Sequence, residues 1–179
     1  MDRRLLATIK EARPIEEIQT ALKPDLVNKK EDELYGWTPL FYAVHMGNTP
    51  AVELLLSNGA DVSTLTTDGT SILQRIAHHR QQGGFITSTS SGEIGVAPPI
   101  FKPFYATEER RRALAPFVEY SASRIRHGGS RFAGMTPLSI ACETADNDDS
   151  ASGEHLFVQK LVLQGADPSS RCPYPPRNT

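Results

Sequence analysis

The 179 residues suit one domain or one short array, with 39% hydrophobic and 22% charged residues typical of a folded globular chain and 13 Gly and 13 Pro that imply a localised irregular part. A formal net charge of -2 and a pI near 6.2 exclude the strongly basic footprint of a nucleic-acid or anionic-membrane binder. Two isolated cysteines, Cys142 and Cys172, supply neither a disulfide scaffold nor a CxxC metal site, and no apolar run approaches the ~20 residues needed to span a bilayer, so the expected location is intracellular, cytoplasmic or nuclear.

In chain order, Leu5, Leu6 and Ile9 fall on one helical face and Ile15, Ile18 and Leu22 on a second, with Asp25-Leu26-Val27-Asn28 as a turn. The charged residues Arg3, Arg4, Lys10, Glu11, Glu16 and Glu17 suit a solvated end face. Next comes Gly36-Trp37-Thr38-Pro39-Leu40-Phe41-Tyr42-Ala43. Thr38 can cap a helix with its hydroxyl, and Pro39 at the first helical position has a preset φ and an N–H that is not missed. Leu40, Ala43 and Val44 supply the buried stripe and Gly47 a stop; Val52, Leu55 and Leu56 line a second helix that ends at Gly59 and turns at Asp61.

A weaker copy, Gly69-Thr70-Ser71-Ile72-Leu73-Gln74-Arg75-Ile76-Ala77, begins 33 residues after Gly36. Its second half resumes only at Glu108, with Leu114, Phe117 and Val118 where the leucine run stands elsewhere. Relative to a 33-residue period it carries about 32 extra residues, mostly 81–107. Within that insertion Val96 to Tyr105 is apolar, Pro-rich and aromatic, and either packs across its own stack or docks a partner. The cluster Arg110-Arg111-Arg112 after Glu108 and Glu109 reads as a solvated, self-compensated helix start.

The last copy opens with Gly134-Met135-Thr136-Pro137-Leu138-Ser139-Ile140-Ala141 and closes with Leu161-Val162-Leu163-Gln164-Gly165-Ala166-Asp167. Eight residues beyond the spacing of the 36–68 copy fall in the acidic, small-residue stretch 143–154. The tail 169–179, with three prolines, is expected to be extended. No further helix pair is read after Gly165-Ala166-Asp167-Pro168, so the tail or a second copy of the chain is expected to cover the apolar face of the last helix, by self-association in the latter case.

These paired blocks resemble the ankyrin repeat family, whose signature is Thr-Pro-Leu-His-x-Ala followed by a leucine run and Gly-Ala-Asp. Phe41 and Ser139 depart from the motif His, and the 69–133 copy has Ser71-Ile72 for Thr-Pro and no Gly-Ala-Asp. The resemblance implies an all-α ankyrin-repeat solenoid of about four helix-pair units with two insertions. Its single domain, 1–168, divides into units of about 1–35, 36–68, 69–133 (insertion 81–107) and 134–168 (insertion 143–154). It also implies a protein–protein interaction module or adaptor that binds another protein through loop tips and first-helix ends. The positions that map there are Tyr35, Trp37, His45, Met46, Thr67, Thr70, His78, His79, Met135, Glu143 and Thr144, with Trp37 the strongest anchor because an exposed Trp is costly without a partner.

Rival chemistry is weakly supported. His45 and His78 recur 33 apart with His79 adjacent, but no third ligand is fixed nearby, so no metal and no cofactor are expected. No nucleophile elbow, P-loop or His-Glu-x-x-His pattern occurs, and Cys142 reads as a small buried thiol. An enzyme is therefore disfavoured. The alternative is an atypical enzyme or small-molecule binder with a pocket roofed by the 81–107 insertion, and it would require convergent polar groups that no spacing reveals.

Overall fold

The periodic stretches form helices, and the loop glycines separate them. The computed structural model describes residues 3–31, 35–79, 87–88, 94–95, 100–121, 134–145 and 154–169. The helices are α1 (Arg3–Lys10), α2 (Ile15–Ala21), α3 (Pro39–His45), α4 (Thr49–Ser57), α5 (Ile72–His79), α6 (Glu108–Leu114), α7 (Pro137–Ala145) and α8 (Glu154–Leu163). A two-residue antiparallel ladder, Thr87–Ser88 with Ile94–Gly95, is the sole sheet among the described residues and lies inside the expected insertion. The fold is an all-α repeat solenoid.

Two layers result. In the inner layer α1 packs on α3, α3 on α5 and α5 on α7. In the outer layer α2 packs on α4, and each of α1, α3 and α7 also packs on the helix that follows it. Between the layers Leu5, Ile9, Val44, Val52, Leu55, Leu73, Ile76 and Leu161 are all buried at 0% exposure, which makes one continuous core. Each such side chain contributes about 1.5–3 kcal/mol on burial. Small Ala43, Ala51 and Ala77, also fully buried, let the helices approach closely.

Capping chemistry starts the inner helices α3, α5 and α7. The Thr38 hydroxyl accepts from the Phe41 amide and Thr136 from the Ser139 amide. At α5, where Thr-Pro is replaced, the cap is reciprocal: the Ser71 hydroxyl accepts from the Gln74 amide at 3.3 Å while the Gln74 carbonyl oxygen accepts from the Ser71 amide at 3.0 Å. Gln74 Nε2 then donates to the Met135 carbonyl at 2.9 Å, entirely buried. One side chain thus caps its own helix and ties it to the next copy.

The loops interlock as well. Gly36 has φ +60, and a Cβ there would lie 2.3 Å from Thr67 Oγ1. Glycine lets the Thr67 amide donate to the Tyr35 carbonyl at 3.0 Å across the loop boundary without strain. Farther along the turn row, Asn28 accepts from the Asp61 amide and donates to the Gly59 carbonyl, and Glu119 accepts from the Asp167 amide in the same manner.

The outer layer departs from a simple pair at α5. Its place beside α4 is taken by a 3₁₀ turn, Lys102–Tyr105, on which α6 packs. Phe101, Pro103, Phe104 and Tyr105 are buried, and Phe101 stacks 5.2 Å from Phe157 of α8. This end of the insertion therefore packs across its own stack. Arg110 fastens it, donating to the carbonyls of Pro103 at 2.9 Å and Leu56 at 3.0 Å, while Arg111 donates to Tyr105. The arginine cluster is thus only partly the self-compensated surface expected of it: Arg111 and Arg112 do pair with Glu108, but Arg110 is a staple. Two other expectations change. Residues 143–145, assigned to the acidic insertion, continue α7, and Cys142 is exposed rather than buried. The tail beyond Ser169 lies outside the described residues.

Two substitutions test this packing. Gln74→Ala removes a cap and strands a buried carbonyl, and should cost about 2 kcal/mol in urea unfolding. The buried Tyr105 hydroxyl has no hydrogen-bond partner among the described residues, and burial pushes its pKa up to about 12. An acid with a raised folded-state pKa loses stabilising protonation above its unfolded value near 10, so stability falls as pH climbs from about 10 to about 12. Tyr105→Phe should be as stable as the parent or more so at neutral pH and should show a shallower loss over that alkaline window.

Candidate functional site

The inner helices start at glycine turns and end at short stops, so the residues at these two places form a continuous strip along one side of the stack. Trp37, just before the α3 cap, is half-buried and lies 5.3 Å from the Tyr35 ring, 5.0 Å from Tyr42 and 5.0 Å from His45, centroid to centroid. The Arg75 guanidinium, from the middle of α5, sits 5.0 Å over the Trp37 ring. At the other end of the strip the Lys10 ammonium lies 4.5 Å over Tyr42. Cations and rings therefore alternate across α1, α3 and α5, an arrangement in which each ring's negative face stabilises a charge.

Arg75 is the centre of this cluster. Its guanidinium donates to Nδ1 of His45, across the helix boundary, and to Nδ1 of His78 at 3.3 Å, one turn along α5. Both contacts need imidazoles that are neutral at Nδ1. Its Nε–H is buried without a partner among the described residues. Burial pushes the guanidinium down from its ordinary value to about 10, opposed by the charge of Asp68. The Asp68 carboxylate is itself held by the Thr66 and Thr70 hydroxyls. The result is a cation with a lowered charge preference and incomplete compensation.

Of the residues expected to contact a partner, Tyr35, Trp37, His45, Thr67, Thr70 and His78 come together on this strip or its loop rim, and Met46 is half-buried at the end of α3. Tyr35 is 40% exposed. The expectation for Met135 is corrected: it is 0% exposed, because its loop turns inward to offer its carbonyl to Gln74. Trp37 is also less exposed than an isolated anchor would be, since four neighbours pack round it. His79, Glu143 and Thr144 lie on α5 and α7, and their side chains lie outside the described residues. Arg75 was not singled out in the sequence, and Lys10 was read there only as part of a solvated end face. The signal that could have found Arg75 was its place one helical turn before His78 and near the position that stacks on His45.

The family model that matches this chain is the ankyrin repeat, over residues 35–67, the stretch that carries Trp37, the Thr-Pro cap and the leucine run. Residues 35–67 match an ankyrin repeat. The chain is similar to an ankyrin repeat protein of fowlpox virus (strain NVSL), 50% identical over 48 residues that make up 27% of this chain and 7% of the relative. It is also similar to the ankyrin repeat protein nuc-2 of Neurospora crassa, 53% identical over 34 residues, 19% of this chain and 3% of that one. The matched stretches are thus small parts of much longer relatives. Among solved structures, the fold is similar to the Legionella pneumophila effector AnkC, with a TM-score of 0.50 and 15% identity, over 93% of this chain and 46% of that one. Ankyrin repeats are generally protein–protein interaction modules, and this chain has no helix, among its described residues, long and apolar enough to cross a membrane.

If Arg75 serves the surface rather than the fold, replacing it should not unfold the chain. Exchanging a poorly compensated buried charge for an apolar side chain of similar length is often neutral or stabilising. Arg75→Met should therefore melt at the same temperature as the parent or higher, and a loss above about 1 kcal/mol in denaturant unfolding would make the guanidinium a structural staple.

Proposed function

We propose that this chain is a protein-binding adaptor whose contact surface is the strip from Tyr35 and Trp37 through His45 to Thr67, Thr70 and His78. The observation that carries the reading is the concentration of partly exposed aromatic and cationic side chains on the inner-helix side, with Arg75 incompletely compensated at its centre. Such anchors, ringed by weaker contacts, supply most of the affinity of a protein interface. Met46, His79, Glu143 and Thr144 extend the surface along the same helix ends. The units of about 1–35, 36–68, 69–133 and 134–168 act as one array, since a stack of repeats presents a longer surface than any single unit. Val162 and Leu163 of α8, 41% and 77% exposed, support a second, self-associating contact at the C-terminal face.

Binders drawn from a randomised peptide library and titrated against variants would test this. Tyr35→Ala should weaken them at least tenfold with little change in melting temperature, Trp37→Ala should weaken them further and cost stability too, and Glu53→Ala on outer helix α4 should do neither. Binders that ignore both aromatic substitutions would place the surface elsewhere.

A further inference from the structure

Acidic and basic residues are sorted between the layers over α1 to α5, although not beyond them, where inner α7 carries Glu143 and outer α6 carries three arginines. The inner helices α1, α3 and α5 contain no Asp or Glu, and their charged residues are Arg3, Arg4, Lys10 and Arg75, with histidines at 45, 78 and 79. The outer helices α2 and α4 carry Glu16, Glu17 and Glu53 and no basic residue. A chain of net charge -2 therefore presents basic residues on the part of its inner side formed by α1, α3 and α5. Basic residues in a last turn, as with Lys10 and His45, are favoured by the helix dipole and need no further reason. Arg75 in mid-helix has no such explanation, and the fold leaves its Nε–H without a partner among the described residues.

We infer that the partner segment held on this strip is an acidic peptide, with one carboxylate at Arg75 and His78 and others running toward Lys10. The inference rests on the binding surface proposed above and names its partner's chemistry. Opposite charge on the partner adds to the partial compensation that Asp68 gives Arg75, through the N–H groups of the terminal nitrogens that the two imidazoles do not take. The rings of Tyr35 and Trp37 give such a peptide apolar ground beside each charge. A nucleic acid fits less well, because a backbone-tracking site neutralises many phosphates, whereas this strip sets two cations, Lys10 at one end and Arg75 at its centre, among neutral rings.

Four labelled 12-residue probes decide it by fluorescence anisotropy on the full chain: a Glu/Leu peptide, a Ser/Leu peptide, a Lys/Leu peptide and an oligo-dT. The Glu/Leu probe should bind at least tenfold more tightly than the other three and weaken as salt rises. Arg75→Met and Lys10→Gln should each reduce that binding fivefold or more, and Arg112→Gln on outer helix α6 should leave it unchanged. Lys10 is exposed, so its variant reports even if the Arg75 variant folds poorly. Tighter binding of the Ser/Leu or Lys/Leu probe that still depends on Trp37 overturns the acidic partner but leaves the surface intact. Tighter oligo-dT binding, or equal losses from Arg112→Gln, overturns the inference. Absence of binding by every probe overturns it together with the surface on which it rests.

Discussion

The hydrogen bond from the Thr67 amide to the Tyr35 carbonyl fixes how one loop nests on the next, and Gly36 is what permits it. With φ at +60 and no room for a Cβ beside Thr67, this turn tolerates only glycine without strain. Its consequence extends well past the loop. Nesting sets α5 against α3 in one register, and that register carries Arg75 to His45 and to the face of Trp37. A slip of one residue would turn Arg75 through about 100° on its helix and dismantle the strip.

The inner and outer layers divide the work. The outer layer tolerates disorder of pattern: α6 stands off behind a 3₁₀ turn, and a long insertion is accommodated because Phe101, Phe104 and Tyr105 fill the space that a second helix fills elsewhere, with Arg110 holding the backbone in place. Loop length itself costs little, since closure entropy rises only with the logarithm of length. The inner layer admits no such substitution. Its helices start with a cap in every described case, by Thr, by Ser with Gln, or by Thr again, because an uncapped buried helix end would leave amides unsatisfied.

Much of this was legible in the sequence because the signals were local and repeated. The Thr-Pro start, the leucine run and the glycine stops each have a physical cause within a few residues, and α3, α4, α7 and α8 fall where they place them. The Ser71-Ile72 departure weakens the third copy as a motif, yet Ser71 and Gln74 cap α5 reciprocally; the signature was present in another chemical form. What could not be read depends on residues distant in the chain. Met135 was expected at the surface from its place beside a loop glycine, and it is buried because Gln74, 61 positions earlier, claims its carbonyl. The role of Arg75 needed His45, 30 positions away, and that of Arg110 needed Leu56, 54 positions away. Periodicity finds helices, but it does not say which side chain crosses from one to another.

The central claim is that loop nesting builds the contact strip, and amide hydrogen exchange at Thr67 under native conditions measures it most directly. Thr67 is exposed and lies in a loop, so without nesting its amide would exchange as fast as any open turn. The structure requires protection comparable to that of the α3 and α5 amides, and a loss of that protection at Thr67 in the Gly36→Ala protein. Fast exchange at Thr67 while α3 and α5 remain protected would show that the helices stack without the loop, and would contradict the account.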